Sequence, residues 1–297
     1  MSQKRILYED QDIIVCHKAA GIATQTARVG QADMVSEIAN YLSRAGKNAA
    51  RNVHGSRGTQ PYVGVIHRLD QPVEGVLVLA KHKKAATRLS RQIAEDETEK
   101  YYYAIVCGQG YEKQGDLEDC LLKDGRTNTS SVVSPEVKDA RLARLHYEIL
   151  AEQDAPAAAG AAEDVEGYHD HEGQRSGDVI AGSEESGNGG RKLALARIRL
   201  YTGRHHQIRV QMRHAGMSLL GDYKYADAQT IRISKQLQVK EVALCAYRLS
   251  FFHPESGRRM DFRIRPEGKS FQVEEFLQEI QKEMMSETDP IRIMPAK

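Results

Sequence analysis

The stretch Gly75–Ala80 (GVLVLA) is apolar throughout and six residues long. A helix buried on all sides needs more turns than that, whereas a strand covered on both faces reads as such an unbroken run. Comparable short runs recur along the 297 residues. Ile6–Tyr8 and Ile13–Lys18 flank the turn Glu9-Asp10-Gln11-Asp12, and Tyr101–Cys107 closes on Gly108. Residues 115–122, 141–150, Leu193–Leu200, Leu244–Phe252 and Met260–Ile264 follow. Helical spacing appears between them. Met34, Val35, Ile38, Ala39 and Leu42 predict a helix over 33–44, and Ala85, Ala86, Leu89 and Ile93 a second. A third is expected from about His206 to His214, and a terminal one from Phe271, Val273, Phe276, Leu277 and Ile280. Many strands, dispersed helices and few strict βαβ alternations point to an α+β fold with a mixed, mostly antiparallel central sheet and flanking helices. No internal repeat is visible, and residues 1–297 read as one domain.

Two segments interrupt this pattern. Residues 45–62 read as a polar loop carrying Lys47, Arg51, His54 and Arg57. Residues 151–190 are rich in Ala, Gly and acidic residues without apolar periodicity, which predicts a flexible insertion. That insertion holds ten acidic side chains and one basic. Against chain totals of 42 Lys+Arg and 41 Asp+Glu, the remainder carries a formal charge of +10. A basic body suits a polyanionic partner, and the insertion is expected to lie away from the face that meets it.

No segment resembles a signal peptide, and no apolar run approaches the roughly 20 residues that cross a bilayer. Cys16, Cys107, Cys120 and Cys245 form no CxxC pair and lie in apolar segments, so reduced, buried thiols and a cytoplasmic location are expected. His169, His171, His206 and His214 lack a third ligand at usable spacing, so no metal is expected.

The most chemically informative stretch is His67-Arg68-Leu69-Asp70, on a loop feeding the apolar strand. A carboxylate beside an arginine at a strand mouth can be a catalytic group or a turn aspartate. A second constellation is Thr202-Gly203-Arg204-His205-His206-Gln207-Ile208-Arg209, followed by Gly221-Asp222-Tyr223-Lys224-Tyr225. Gly203 permits a tight turn into a helix. Arg209 could pair bidentately with a carboxylate or face phosphate.

Taken together, these segments resemble the RluA-like pseudouridine synthases. The family's His-Arg-Leu-Asp motif matches His67–Asp70, with Gly75 and Ala80-Lys81 after it. Its Lys-x-Tyr-x-Ala-x-Val-x-Gly strand matches Lys100, Tyr102, Ala104, Val106 and Gly108. Its Thr-Gly-Arg-x-His-Gln-Ile-Arg segment matches Thr202–Arg209, its Gly-Asp-x-x-Tyr matches Gly221, Asp222 and Tyr225, and its near-terminal segment matches Ala246–Pro254. The opening Tyr8-Glu9-Asp10 and Lys18-Ala19-Ala20-Gly21 also fit. The resemblance spans nearly the whole chain outside 151–190, in the family's order, with no S4-type module ahead of the catalytic region. Val73-Glu74 stands where a hydroxyl pair is usual, so the loop's support must differ. Gln211, Ser218 and Cys245 stand where the family often has His, Pro and His.

The resemblance implies a single catalytic domain with a cleft, isomerising uridine to pseudouridine in ribosomal or transfer RNA without a cofactor. It implies Asp70 as the catalytic carboxylate, Arg209 as its ion-pair partner, and Tyr102 stacked on the uracil and helping to remove the C5 proton. Arg68, His67, Arg204, His206, Gln207, Lys47, Arg51 and Arg57 are the candidate RNA contacts. A monomer is the default expectation. Two other readings remain open: a silent RNA-binding protein on the same scaffold, and a small-molecule glycosidase or nucleosidase. The latter needs a second carboxylate, for which Glu74 or Asp222 could be nominated.

Overall fold

The computed structural model describes residues 5–26, 30–50, 61–156 and 190–285, giving the backbone alone for 45–50. In chain order the elements are β1 (Ile6–Glu9), β2 (Ile13–Lys18), α1 (Met34–Ala50), β3 (Gly64–Val65), β4 (Glu74–Ala80), α2 (Lys83–Ala94) and β5 (Glu99–Gly108). Then come β6 (Gln114–Asp124), β7 (Thr129–Val133), β8 (Arg141–Asp154), β9 (Lys192–Leu200), α3 (Gln207–His214), β10 (Met217–Leu219) and α4 (Ala228–Gln236). Last are β11 (Leu244–Phe252), β12 (Arg259–Arg263), a 3-10 turn (Lys269–Phe271) and α5 (Glu274–Met285).

One sheet holds all the described strands, in the order β1-β2-β4-β11-β5-β9-β8-β6-β7, with β3 on β4, β10 on β5 and β12 on β11. Among the described strand pairings only β4 with β11 is parallel, so the α+β, mostly antiparallel expectation holds. That parallel contact requires a glycine. Gly75 sits at φ 151°, and a Cβ there would come 2.4 Å from Ala246 Cβ.

Strand alternation divides the core. On β5, Tyr103, Ile105 and Cys107 face the main cluster, into which α2 sends Ala85 and Leu89, α4 Ile233, and α5 Phe276 and Ile280. Tyr102, Ala104 and Val106 face the other way, into a cluster with Leu69, Val73, Leu244 and α3's Ile208 and Met212. A third cluster packs α1's Met34 and Ile38 on Ile14, Cys16, Leu77 and Leu79. Burying each large side chain of this kind contributes about 1.5–3 kcal/mol. The central strands are covered on both faces, which is why β4 and β5 read as unbroken apolar runs.

Some bounds differ from expectation. α1 runs past Arg44 into the stretch expected to be loop, and β8 continues to Asp154, into the start of the expected insertion. The rest of that insertion, residues 157–189, lies outside the described residues, as do Arg51, His54 and Arg57. Lys47 falls on α1, where only the backbone is described. Three short elements, β3, β7 and β10, and the helix α4 were not expected. α4 carries few large apolar residues, and its start is fixed by Asp227, whose side chain accepts from the Thr230 N–H at 2.9 Å. Among the described residues no helix is long and apolar enough to cross a membrane.

Candidate active site

Asp70 lies on the loop entering β4, and that loop is anchored from below. Thr24 Oγ donates to Leu69 O at 2.9 Å and accepts from the Leu69 N–H at 3.1 Å. Lys18, fully buried, donates from Nζ to Ile22 O at 2.7 Å and to Ala19 O and Gln71 O at 3.2 Å. Gly21 N–H donates to Gln71 O at 2.9 Å. These bonds anchor the loop that carries Asp70, without a hydroxyl at 73 or 74. Val73 instead joins the apolar cluster beneath the site.

A cavity of about 560 Å³ opens over this loop, within the usual size of small-molecule clefts. Asp70, Tyr102, His206 and Arg209 line it, with Ile208 and Leu244 as apolar wall. Tyr102 arrives from β5, on the opposite face from Tyr101 and Tyr103, as alternation requires. Burial, and then the charge of Asp70, hold its phenol protonated well above the usual range.

Arg209 is 5% exposed and central. Its Nε and Nη2 fork onto Asp222 at 2.7 Å each, and Nη1 reaches Asp70 Oδ2 at 3.3 Å. The expected Arg209–Asp70 pair therefore exists, but the tighter bidentate contact goes to Asp222, a partner the sequence reading left without that role. Asp222 also accepts from the backbone N–H groups of Lys224 and Tyr225. Its position depends on Gly221 at φ 73°, where a Cβ would lie 2.0 Å from Glu241 O. The Arg209 guanidinium sits 4.8 Å from the centre of the Tyr225 ring.

His206 precedes α3 in the left-handed region, at φ 55°. For a non-glycine this costs about 1–3 kcal/mol, a strain that functional sites often hold. Its Nδ1 lies 2.6 Å from Tyr225 Oη, which already accepts from the Ser130 N–H at 2.9 Å. Nδ1 and the phenol share a hydrogen bond, while Nε2 faces Asp70 Oδ2 at 3.7 Å. Burial, reinforced by the Arg209 charge, pushes this imidazole down to about 4. β7, which was not expected, supplies Ser130. That residue also holds His205 (Oγ to Nδ1, 2.9 Å), which stacks on His206 at 3.7 Å.

Two candidate RNA contacts are committed inside the fold. Gln207 is buried and its amide is fully used. It donates to Arg144 O and Gln211 Oε1, and it accepts from Thr202 Oγ and the Arg204 N–H. It organises the start of α3 instead of meeting RNA. His67 accepts from the Val78 N–H through Nε2 at 3.2 Å, and burial pushes it down to about 4, so it is a neutral loop anchor at the cavity edge. Arg68 is exposed on the rim, and Arg204 is exposed with Nε on Leu142 O at 2.9 Å. Lys100 and Lys123, given no RNA role from the sequence, also line the cavity. Lys123 could have been found only by knowing that the β6–β7 hairpin folds over α3.

The carboxylates nominated for a glycosidase pair are both spoken for. Asp222 is held in the Arg209 fork, and buried Glu74 accepts the backbone N–H groups of Glu267 and Gly268 at 3.1 and 3.0 Å. Gln211, standing where a histidine is common, is fully buried and bonds Asp119 Oδ2 and Ala143 O.

Residues 12–214 match the family model described as RNA pseudouridylate synthase. An uncharacterized RNA pseudouridine synthase of Chlorobaculum parvum is 30% identical over 269 residues, 86% of this chain and 69% of that one. The dual-specificity RNA pseudouridine synthase RluA of Vibrio parahaemolyticus is 26% identical over 251 residues, 84% of this chain and 78% of the relative. The solved structure of human RNA pseudouridylate synthase domain containing 4 superposes with a TM-score of 0.58 at 18% identity, covering 94% of this chain and 92% of that one, a likeness of fold.

Proposed function

The chain belongs to the RluA-like family of RNA pseudouridine synthases, and from that premise we propose that Asp70 is the carboxylate through which it isomerises uridine. The observation that carries this reading is the Asp70–Arg209–Asp222 chain of contacts at the floor of the cavity, with Tyr102 beside it. The reaction breaks the C1′–N1 bond, turns the uracil and joins C5 to C1′. A proton leaves C5 and one is gained at N1, so electrons balance within the nucleotide. Asp70 acts as nucleophile or base at the sugar. Arg209, itself fixed by Asp222, aims it.

The protonated Tyr102 phenol supports a stacking role against the uracil ahead of the proton-removing role expected from the sequence. Leu244 and Ile208 exclude water from the detached base, which must not diffuse away. A uridine within folded RNA has to be turned out of its stack, at a cost of a few kcal/mol offset by stacking and backbone contacts. Arg68, Arg204, Lys100 and Lys123 are the cations set to meet phosphate. The substrate is ribosomal or transfer RNA, the classes expected from the sequence.

The test is tritium release from RNA labelled at uracil C5, comparing the native protein with Asp70→Ala. Release by the native protein and a loss of at least about 1000-fold in the variant is the expected result. Equal release from both would remove Asp70 from this role. Release from neither, across ribosomal and transfer RNA, would favour a silent RNA-binding protein.

A further inference from the structure

Behind the Asp70 loop, on a side the reaction does not use, three potential ligands converge. His17 is the penultimate residue of β2, Glu74 the first of β4, and Glu267 follows β12. The Glu74 carboxylate, 5% exposed, takes backbone N–H groups from Glu267 and Gly268, which folds that segment over it. Glu267's own carboxylate is thereby brought close. His17 Nε2 lies 3.6 Å from Glu74 Oε2, and His17 Nδ1 lies 3.6 Å from Glu267 Oε1. Both distances exceed a hydrogen bond. The His17 side chain is 8% exposed, and its buried Nε2 has no hydrogen-bond partner.

The spacing has a chemical meaning. Donors around a tetrahedral Zn²⁺, each about 2.0–2.2 Å from the ion, stand roughly 3.3–3.6 Å from one another. One donor atom from each of His17, Glu74 and Glu267 lies within 4.8 Å of the other two. With Nε2 as the ligand nitrogen, Glu74 Oε2 is already at ligand separation. Glu267, 63% exposed, completes the set by a side-chain rotation and leaves an entry path. One imidazole with two carboxylates suits a borderline cation such as Zn²⁺ better than Mg²⁺, which prefers all-oxygen, octahedral surroundings.

A second cluster, Asp10, Asp12 and His253, has the same composition and a different chemistry. His253 Nδ1 accepts the N–H groups of Glu255 and Ser256, so Nε2 carries the proton that it donates to Asp10 Oδ2 at 2.8 Å. That imidazole has no lone pair left for a metal. His17 does.

We propose that His17, Glu74 and Glu267 bind one Zn²⁺ per chain as a structural clasp between β2, β4 and the segment after β12. The clasp would steady the exit of the Asp70 loop without entering the reaction. The proposal rests on the fold alone, not on the catalytic reading.

The full chain, stripped with a chelator, is titrated with ZnCl2 by calorimetry and followed by thermal unfolding, with MgCl2 in parallel. One Zn²⁺ per chain and a raised Tm are expected. His17→Gln and Glu267→Gln should each weaken binding at least tenfold and abolish the Tm rise, whereas Asp12→Asn should bind like the native chain. Glu267 is exposed, so its variant carries the test even if the His17 variant misfolds. No Zn²⁺ uptake by the native protein, wild-type uptake by Glu267→Gln, equal binding of Mg²⁺, or loss confined to Asp12→Asn would each overturn the proposal.

Discussion

Among the described residues, two buried arginine–aspartate pairs each join residues thirteen apart and are put to different uses. Arg248 on β11 holds Asp261 on β12 through Nε and Nη2 at 2.9 and 2.6 Å, and its guanidinium lies 5.2 Å from the Tyr101 ring centre. Neither residue lines the cavity. Both short Arg248 bonds meet the same Asp261 oxygen, whereas Arg209 takes one Asp222 oxygen with each of Nε and Nη2 and turns its remaining nitrogen, Nη1, to Asp70 in the cleft. A buried ion pair is weak evidence for stability, because desolvation offsets much of the attraction. What distinguishes the second fork is where its last N–H points. One pair closes a hairpin. The other, by the reading proposed above, is an aiming device for a reactive carboxylate.

The comparison breaks most sharply on arginine removal. Arg209→Met should cost about 3–5 kcal/mol in urea unfolding, since it removes the only cation held on buried Asp222 among the described ion pairs, and Arg248→Met should cost less, since Arg263 Nε remains 3.5 Å from Asp261. Only Arg209→Met should also lower tritium release per folded molecule, by at least about 1000-fold. Arg248→Met should stay within about threefold at a temperature where it is folded. Equal activity losses would mean that both forks act merely by holding the fold.

Acid sharpens the contrast next, because the Arg209 side carries two imidazoles kept neutral by burial, His67 and His206. Their folded values near 4 lie below the unfolded value of about 6.5. The unfolded chain therefore binds more protons between those limits, and stability falls as pH drops from 6.5 toward 4, by up to about 3 kcal/mol for fully buried His67 and in the same direction, by less, for His206 beside the Asp70 carboxylate. His67→Gln should flatten that slope, measured by urea unfolding across the window. An unchanged slope would remove His67 from this role.

The smallest effect concerns the loop's support. Thr24→Val removes both bonds to Leu69 and leaves a buried amide and carbonyl unpaired, costing about 1–3 kcal/mol in the same unfolding measurement.

Strands such as β4 and β5 were legible because burial on both faces writes itself as an uninterrupted apolar run. That Asp70, Tyr102 and Arg209 share one cavity follows the expectation that the motif resemblance raised, since each sits in a short matched segment. The fork from Arg209 to Asp222 was not legible, since which carboxylate receives the bidentate face depends on the turn at Gly221. Gln207 and His67 were expected as RNA contacts because they lie in the matched motifs beside Arg204 and Arg68. Their burial follows from tertiary contacts with Arg144, Gln211 and Val78. The Thr24 and Lys18 anchors lie about 50 residues before the loop they hold, too far for any local pattern to show.

The ladder between β8 and β9 has a consequence of its own. Asp154 faces Lys192 at its end, joined by a 2.5 Å ion pair, whereas the Tyr102 register falls at Ile198, about 20 Å further along β9. The Ala155 N–H also donates to Arg191 O, so the fold grips both ends of residues 156–190 at a point remote from the cavity. Closing a connection between fixed ends costs only the logarithm of its length, about 0.6 kcal/mol per doubling. Rejoining Ala155 to Arg191 through a four-residue turn, which keeps the bonds of Arg191 to Asp227 and Thr230, should leave catalysis unchanged and raise the melting temperature slightly. In evolutionary terms, that hairpin end is a position where chain can be gained or lost with little selective consequence for the catalytic machinery.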